Sequence, residues 1–361
     1  MAVDGHEGRP KITADEERLL VGGAPGLRLE DRAVEGLVIS SCTFADARLR
    51  DVVFRDCRFT QVVFDDARFE NVRFETCELL QVDFRRSIWS SSSAYGMVTT
   101  GARFSACRLV ASELATCTFK DATLEASELD ALRITDGLFV EVQITGTKLI
   151  GCDLVQTRFD RPIITGVTIS GGSLSGVLLS AGVTRGLHVL AASVDVMNIV
   201  LGDHAGLTFE GISGQSIRLT DAQVRGLSFL DGQALADVSV SGGTVDGMAV
   251  MRWQALSMFM IGHARVNNLI IDAAAITGLY LRKATLVGSA WSTAVLTGVD
   301  LEQSSIDGMA LAGVRFATLL RVPQARINGL SLQGVAYENG LEVHDDGVAY
   351  GPGDRFPQGG G

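Results

Sequence analysis

Six cysteines, five histidines and scattered pairs of carboxylates are the residues of this chain that could do chemistry. The cysteines are Cys42, Cys57, Cys77, Cys107, Cys117 and Cys152, and none stands at a C-x-x-C or C-x-x-H spacing, so no zinc site is indicated. The histidines, His6, His188, His204, His263 and His344, fall in no Ser/His/Asp or Cys/His arrangement. Neither a Walker nor a Rossmann glycine pattern is present, so no catalytic set, metal or cofactor is expected. Two other groups could serve as contact surfaces. One is the stretch Met251 to Met260, where Met251, Trp253, Met258, Phe259 and Met260 make an apolar patch if they face outward and a distorted turn of chain if they face inward. The other is acidic: Asp65 and Asp66, with Glu125, Glu128 and Asp130.

What positions these residues is a period of five. From Leu29 an apolar residue recurs at every fifth place, through Val34, Ile39, Phe44, Leu49, Phe54, Phe59, Phe64, Phe69, Phe74, Leu79, Phe84 and Trp89. After a weak patch at Ala94 and Thr99 it resumes at Phe104 and runs to Phe159. A helix of 3.6 residues per turn or a strand of period two cannot hold this phase, so the chain must turn once per five residues. Two places before each large residue sits a small one, and all six cysteines occupy that small, inward place. Cys57 and Cys77, one turn of this arrangement apart, are close enough for a disulfide to be considered, though buried, reduced thiols are the simpler reading. Arg48, Arg68, Arg108 and Lys148 occupy one outward place, alongside Glu70, Glu128 and Asp130 in a mixed ladder.

The unit small, any, large, polar, polar, as in Cys57-Arg58-Phe59-Thr60-Gln61 and Ala67-Arg68-Phe69-Glu70-Asn71, resembles the pentapeptide-repeat family. The resemblance is specific over residues 42–160 and looser from 29 to 337. It implies an all-β fold, a right-handed quadrilateral β-helix with four repeats per coil. The second half supports the four-repeat coil independently, because glycines recur at Gly146, Gly166, Gly186, Gly206, Gly226 and Gly247, then Asn268, then Gly288, Gly308 and Gly329. Three of these spacings are 21 rather than 20, which places one-residue insertions within 230–239, 251–265 and 317–326. About fifteen coils at the ~4.8 Å strand spacing would make one rod roughly 70 Å long.

Four segments follow. Residues 1–24 are a tail with a short capping helix, opened by the capping box Thr13-Ala14-Asp15-Glu16. Residues 25–160 are regular solenoid, and 161–337 are its degenerate, Gly-cornered continuation. Residues 338–361 are a terminal cap, with turns expected at Asn339-Gly340 and Asp346-Gly347 before a disordered end. His204 falls on an inward site beside the weak inward positions Thr184 and Gly214, an imperfection in the core or a small polar site.

The chain has no signal-peptide pattern and no membrane-length apolar run, so a cytoplasmic protein is expected. Its net charge of −11 disfavours direct nucleic-acid binding. A protein partner fits best: an interaction rod, whose partners could include a second copy of the chain. The family's best-known branch protects type II topoisomerases from quinolones and toxins by presenting an acidic rod like duplex DNA, so the resemblance implies DNA gyrase or topoisomerase IV as the alternative partner. Against it, ~70 Å of duplex presents about 40 charges, whereas residues 25–337 hold 27 basic and 32 acidic residues, a net of −5. An enzyme with its site at a solenoid irregularity is the remaining reading.

Overall fold

The computed structural model describes residues 8–317, 320–321 and 324–337. The expected turns at 339–340 and 346–347, the disordered end, Pro323, His6 and His344 lie outside the described residues. The chain divides after Leu179 into two units. Each is parallel β-solenoid, and about fifteen turns are present in all.

In the first unit the period of five becomes short strands, such as Arg58–Thr60, Val63–Asp65, Arg68–Glu70 and Arg73–Glu75. Each pairs in parallel with the strand four repeats on, so Phe44 lies in register with Phe64, Phe64 with Phe84 and Phe84 with Phe104. Four strands per turn of twenty residues make a four-sided coil. The large residue of each repeat and the small one before it point inward, and Phe44, Phe54, Phe59, Phe69, Phe74 and Phe84 are almost wholly buried. Their rings stack along the axis, Phe44 on Phe64 at 5.1 Å and Phe64 on Phe84 at 5.2 Å.

The corners need a left-handed residue in every repeat, and in this unit it is usually not glycine. Asp46, Gln61, Asp66 and Ala106 all sit at φ near +54. What holds them is the next coil: the amide of Asp46 donates to the carbonyl of Asp65 at 2.8 Å, and that of Gln61 to Leu80 at 2.8 Å. A satisfied backbone in every corner compensates for the unfavourable dihedral.

From Ile163 the strands lengthen to eight residues and run through every second corner, as in Ile163–Ser170 and, in the second unit, Val183–Leu190 and Asp203–Glu210. The glycines read as corners have positive φ, Gly206 at 64 and Gly226 at 71, and Asn268 takes their place at 55. The register between coils moves from 20 to 21 residues at the insertions. Gly214 pairs with Leu235, Leu235 with Leu256, and Leu256 with Ile276 again at the ordinary step. The extra residues fall at 231–233 and 252–254, where the strands break. A third lies between Phe316 and Leu320, because Leu296 pairs with Phe316 but Val299 with Leu320.

The N-terminal end of the first unit is covered. Helix Ala14–Gly22 opens with the reciprocal capping box of Thr13 and Glu16, and Leu20 is its buried residue. Glu16 also pairs with Arg32 at 3.0 Å. Ahead of the helix, residues 10–12 run along Ala33, which donates to the carbonyl of Pro10 and accepts from the amide of Ile12. The segment 10–12 thus occupies backbone groups that an open edge would expose.

Candidate interaction surface

The residues with chemical potential are first of all core residues. All six cysteines are free and buried. Their place in the repeat has a physical reason, because the small inward position faces two backbone carbonyls. The Cys77 thiol contacts the carbonyl oxygens of Phe54 and Glu75, both at 3.4 Å, and the Cys107 thiol those of Phe84 and Ser105. Ser87, Ser92 and Ser127 donate hydroxyl hydrogens to the equivalent carbonyls. The position therefore favours a small donor, and burial pushes the thiols of Cys107 and Cys117 up to about 11. Such thiols are neither nucleophiles nor metal ligands at neutral pH.

His204 is likewise consumed by the core. It is 1% exposed, its Nε2–H donates to the carbonyl of Leu201 at 2.8 Å, and its Nδ1 accepts from the Thr184 hydroxyl at 3.1 Å. Both ring nitrogens are satisfied by the neutral tautomer, and burial pushes its pKa below the ordinary histidine value. Gly214 has no side chain to contribute. His188 instead lies at the surface, 3.0 Å from Glu210, and His263 is exposed at a corner.

Of the stretch from Met251 to Met260, Trp253 and Phe259 point into the core at 2% and 0% exposure. They are therefore withdrawn from any contact surface. The inserted residue lets Trp253 enter the coil over Gly232, where a Cβ would lie 2.2 Å from the indole ring. Met258 is exposed, while Met251 and Met260 are half-buried. What remains outside is three methionine side chains on otherwise regular strands.

The acidic candidates are at the surface, and most are neutralised. One guanidinium, Arg86, meets both Asp65 at 2.6 Å and Asp66 at 2.8 Å, and holds the Asp66 carboxyl below the usual carboxylate range. Arg108 approaches Glu128 at 3.3 Å and Asp130 at 3.8 Å. Glu125 is exposed. The same pairing from one coil to the next joins Arg55 to Glu35 and Glu75, Arg58 to Glu78 and Arg161 to Glu141. Opposite charges one coil apart stand in register, which is why the ladder forms.

The apolar surface that stands out lies instead around the weak repeat at Ala94 and Thr99. That coil is regular: Met97 occupies a small inward place and is 1% exposed, filling volume that Ala94 and Thr99 leave. Outside it, Leu80, Tyr95 and Val98 are 42%, 55% and 46% exposed. Val98 pairs with Glu78 and Thr100 with Leu80, so Val98 and Leu80 sit diagonally on adjacent strands, and Tyr95 is across the corner at Gly96. In the sequence this region registers only as a weak inward repeat at Ala94 and Thr99, which draws attention away from its outward places. The signal was present: Tyr95 and Val98 occupy outward places where neighbouring repeats carry polar residues.

The family model agrees with this geometry. The family model described as "Pentapeptide repeat region" matches residues 35–114. No curated protein matches the chain. Among solved structures, a trypsin-treated form of QnrB1, described as a plasmid-mediated fluoroquinolone resistance protein, is 22% identical; the match covers 43% of this chain and 90% of that one, with a TM-score of 0.26. HetL, described as a pentapeptide repeat protein involved in heterocyst differentiation regulation in the cyanobacterium Nostoc sp. strain PCC 7120, is 14% identical over 94% of this chain and 99% of that one, with a TM-score of 0.25. A mannuronic-acid-specific polysaccharide family 6 lyase from human gut microbiota is 10% identical over 81% and 84%, with a TM-score of 0.24. The family model thus marks residues 35–114 as a pentapeptide-repeat region, and coils closed by four repeats continue on either side of it.

Proposed function

We propose that this protein is a non-enzymatic binding solenoid, which recognises a protein partner through a surface that includes Leu80, Tyr95 and Val98. The observation that carries the reading is the exposure of these three apolar side chains at adjoining places on a sheet held rigid by its coil-to-coil register. Aromatic and aliphatic side chains fixed on a rigid scaffold lose little entropy on binding, and tyrosine is enriched among residues that dominate interfaces. The residues with catalytic potential serve the core instead, the thiols and His204 being buried and hydrogen-bonded to backbone. A second copy of the chain is one candidate partner.

Duplex mimicry directed at a gyrase or topoisomerase IV would need a row of uncompensated acid. Asp65, Asp66, Glu128 and Asp130 each share an arginine instead, so the charge pattern favours recognition by shape and apolar contact.

The test uses the full chain and a Tyr95→Asp/Val98→Asp double variant, immobilised in parallel and challenged with lysate proteins and with free chain. A species retained by the native protein and lost from the variant supports the assigned surface. Equal retention by both moves the contact elsewhere. A DNA gyrase supercoiling assay, with and without a fluoroquinolone, separates the alternative: inhibition or rescue at stoichiometric protein would replace this reading with topoisomerase protection.

A further inference from the structure

The core of the first unit is not filled uniformly. From Phe54 to Trp89 the large inward residues are mainly aromatic and the residues two places earlier are small, such as Ala67, Val72 and Cys77. From Leu109 to Leu154 most large positions are leucine or isoleucine, while the earlier positions stay small, as at Cys117, Ala122, Ser127 and Gly137. In the second unit the large positions are mixed, with Phe209 and Phe229 among aliphatic residues, and at every second repeat the earlier position has grown, to Leu187, Met197, Leu207, Ile217 and Leu227. The middle case combines two economies of volume through most of its repeats, and a fixed four-sided backbone cannot contract to close the difference.

The structure contains the result. A cavity of about 80 Å3 runs inside the coils from Trp89 to Phe159. Leu124, Phe139 and Ile144 point inward by register yet keep accessible surface, and all three line it. Leu129, Ile134 and Leu149 complete the middle of its wall. Thr123 and Gln143 also border it, from outward places on their strands. Trp89 Nε1 is buried without a partner, but one N–H gives a water a single hydrogen bond where buried waters make about three. The hollow is large enough for water and too apolar to hold it. Its volume is about half that of an apolar protein cavity of ~150 Å3 that stays dry and accepts benzene or xenon.

We propose that this hollow is a dry, apolar binding site for one small, uncharged, apolar molecule of about the size of xenon, a gas or a very short hydrocarbon. Benzene is too large for it. The inference is independent of the outer contact surface, because Leu80, Tyr95 and Val98 do not line the hollow.

The experiment is a xenon titration of the full chain followed by leucine and isoleucine methyl resonances. Saturable shifts at Leu124, Leu129, Ile134, Ile144 and Leu149, with none at Ile39 and Leu49 and none from benzene, are expected. Leu124→Phe extends the stack of Phe64, Phe84 and Phe104 by one ring into the void and should weaken xenon binding by more than about tenfold while the fold is kept. Absence of saturable shifts in the native protein, or water cross-relaxation to these methyls, overturns the proposal. So does undiminished xenon binding by a folded Leu124→Phe protein.

Discussion

At the scale of the residue, the repeat gives each side chain one of two duties, and the consequences are testable. Phe64 is buried between the rings of Phe44 and Phe84. Phe64→Ala should lower the unfolding free energy by about 3–5 kcal/mol, because the coil cannot collapse onto the void. An unchanged urea midpoint would refute the inward assignment. His204 makes a pH-dependent contribution whose sign follows from burial. Its folded pKa lies below its unfolded value of ~6.5, since the cost of burying the charged ring outweighs the Leu201 hydrogen bond. Stability is therefore complete above about pH 6.5 and falls as the pH drops toward the folded pKa, where the unfolded chain binds the extra proton. In His204→Val, which continues the column into Val224, the loss of stability between about pH 7 and pH 5 should be smaller than in the native protein. Equal slopes would show that His204 is not titrating as assigned. The other histidines cancel in this difference.

At the scale of the element, corners and insertions decide what the strands can be. Most corners of the first unit tolerate a side chain at positive φ, as Ala106 and Ala111 demonstrate. Gly146 lies at such a corner with open space beside it, whereas a Cβ on Gly172 would stand 2.0 Å from the carbonyl oxygen of Cys152. Gly146→Ala should thus cost about 1 kcal/mol, the left-handed dihedral alone, and Gly172→Ala at least about 2 kcal/mol more from overlap with the Cys152 carbonyl. Thermal melts of the pair read the contrast directly; equal melting temperatures would mean the backbone at Gly172 relaxes. The insertion at 252–254 is the element that sequence reading left undecided. It leaves the strands regular on both sides and uses the extra length to bring Trp253 inward.

At the scale of the molecule, net charge is a poor guide to the surface. The chain carries −11 in total, but in the first unit several surface carboxylates, among them Asp66, Glu75, Glu78 and Glu141, are met by arginines one coil away. Partner binding should therefore change little between about 0.05 and 0.5 M salt, the range over which an exposed acidic row would be screened. A steep loss of affinity with salt would return duplex mimicry to first place. Arg86→Ala gives the complementary test: it uncovers Asp65 and Asp66 together, and should leave the melting temperature nearly unchanged because these pairs are exposed. If that variant, unlike the native protein, inhibits gyrase, the arginine is what suppresses the mimicry.

The sequence by itself determined the solenoid, the four-repeat coil, the inward place of the cysteines, the capping box and the intervals that hold the three insertions. Each is a local or strictly periodic property, and period five can be satisfied only by turning the chain once per repeat. The direction of Trp253 and Phe259 was decided by tertiary structure, because an inserted residue resets the phase and only the neighbouring coils establish where it resumes. Tertiary structure also decided that Arg86 silences Asp65 and Asp66, for charges twenty residues apart meet only through the register. The hollow behind Leu124 and Ile144 belongs to the same class: every repeat there is acceptable alone, and the missing volume appears only when four sides face one another across a core that the backbone keeps open.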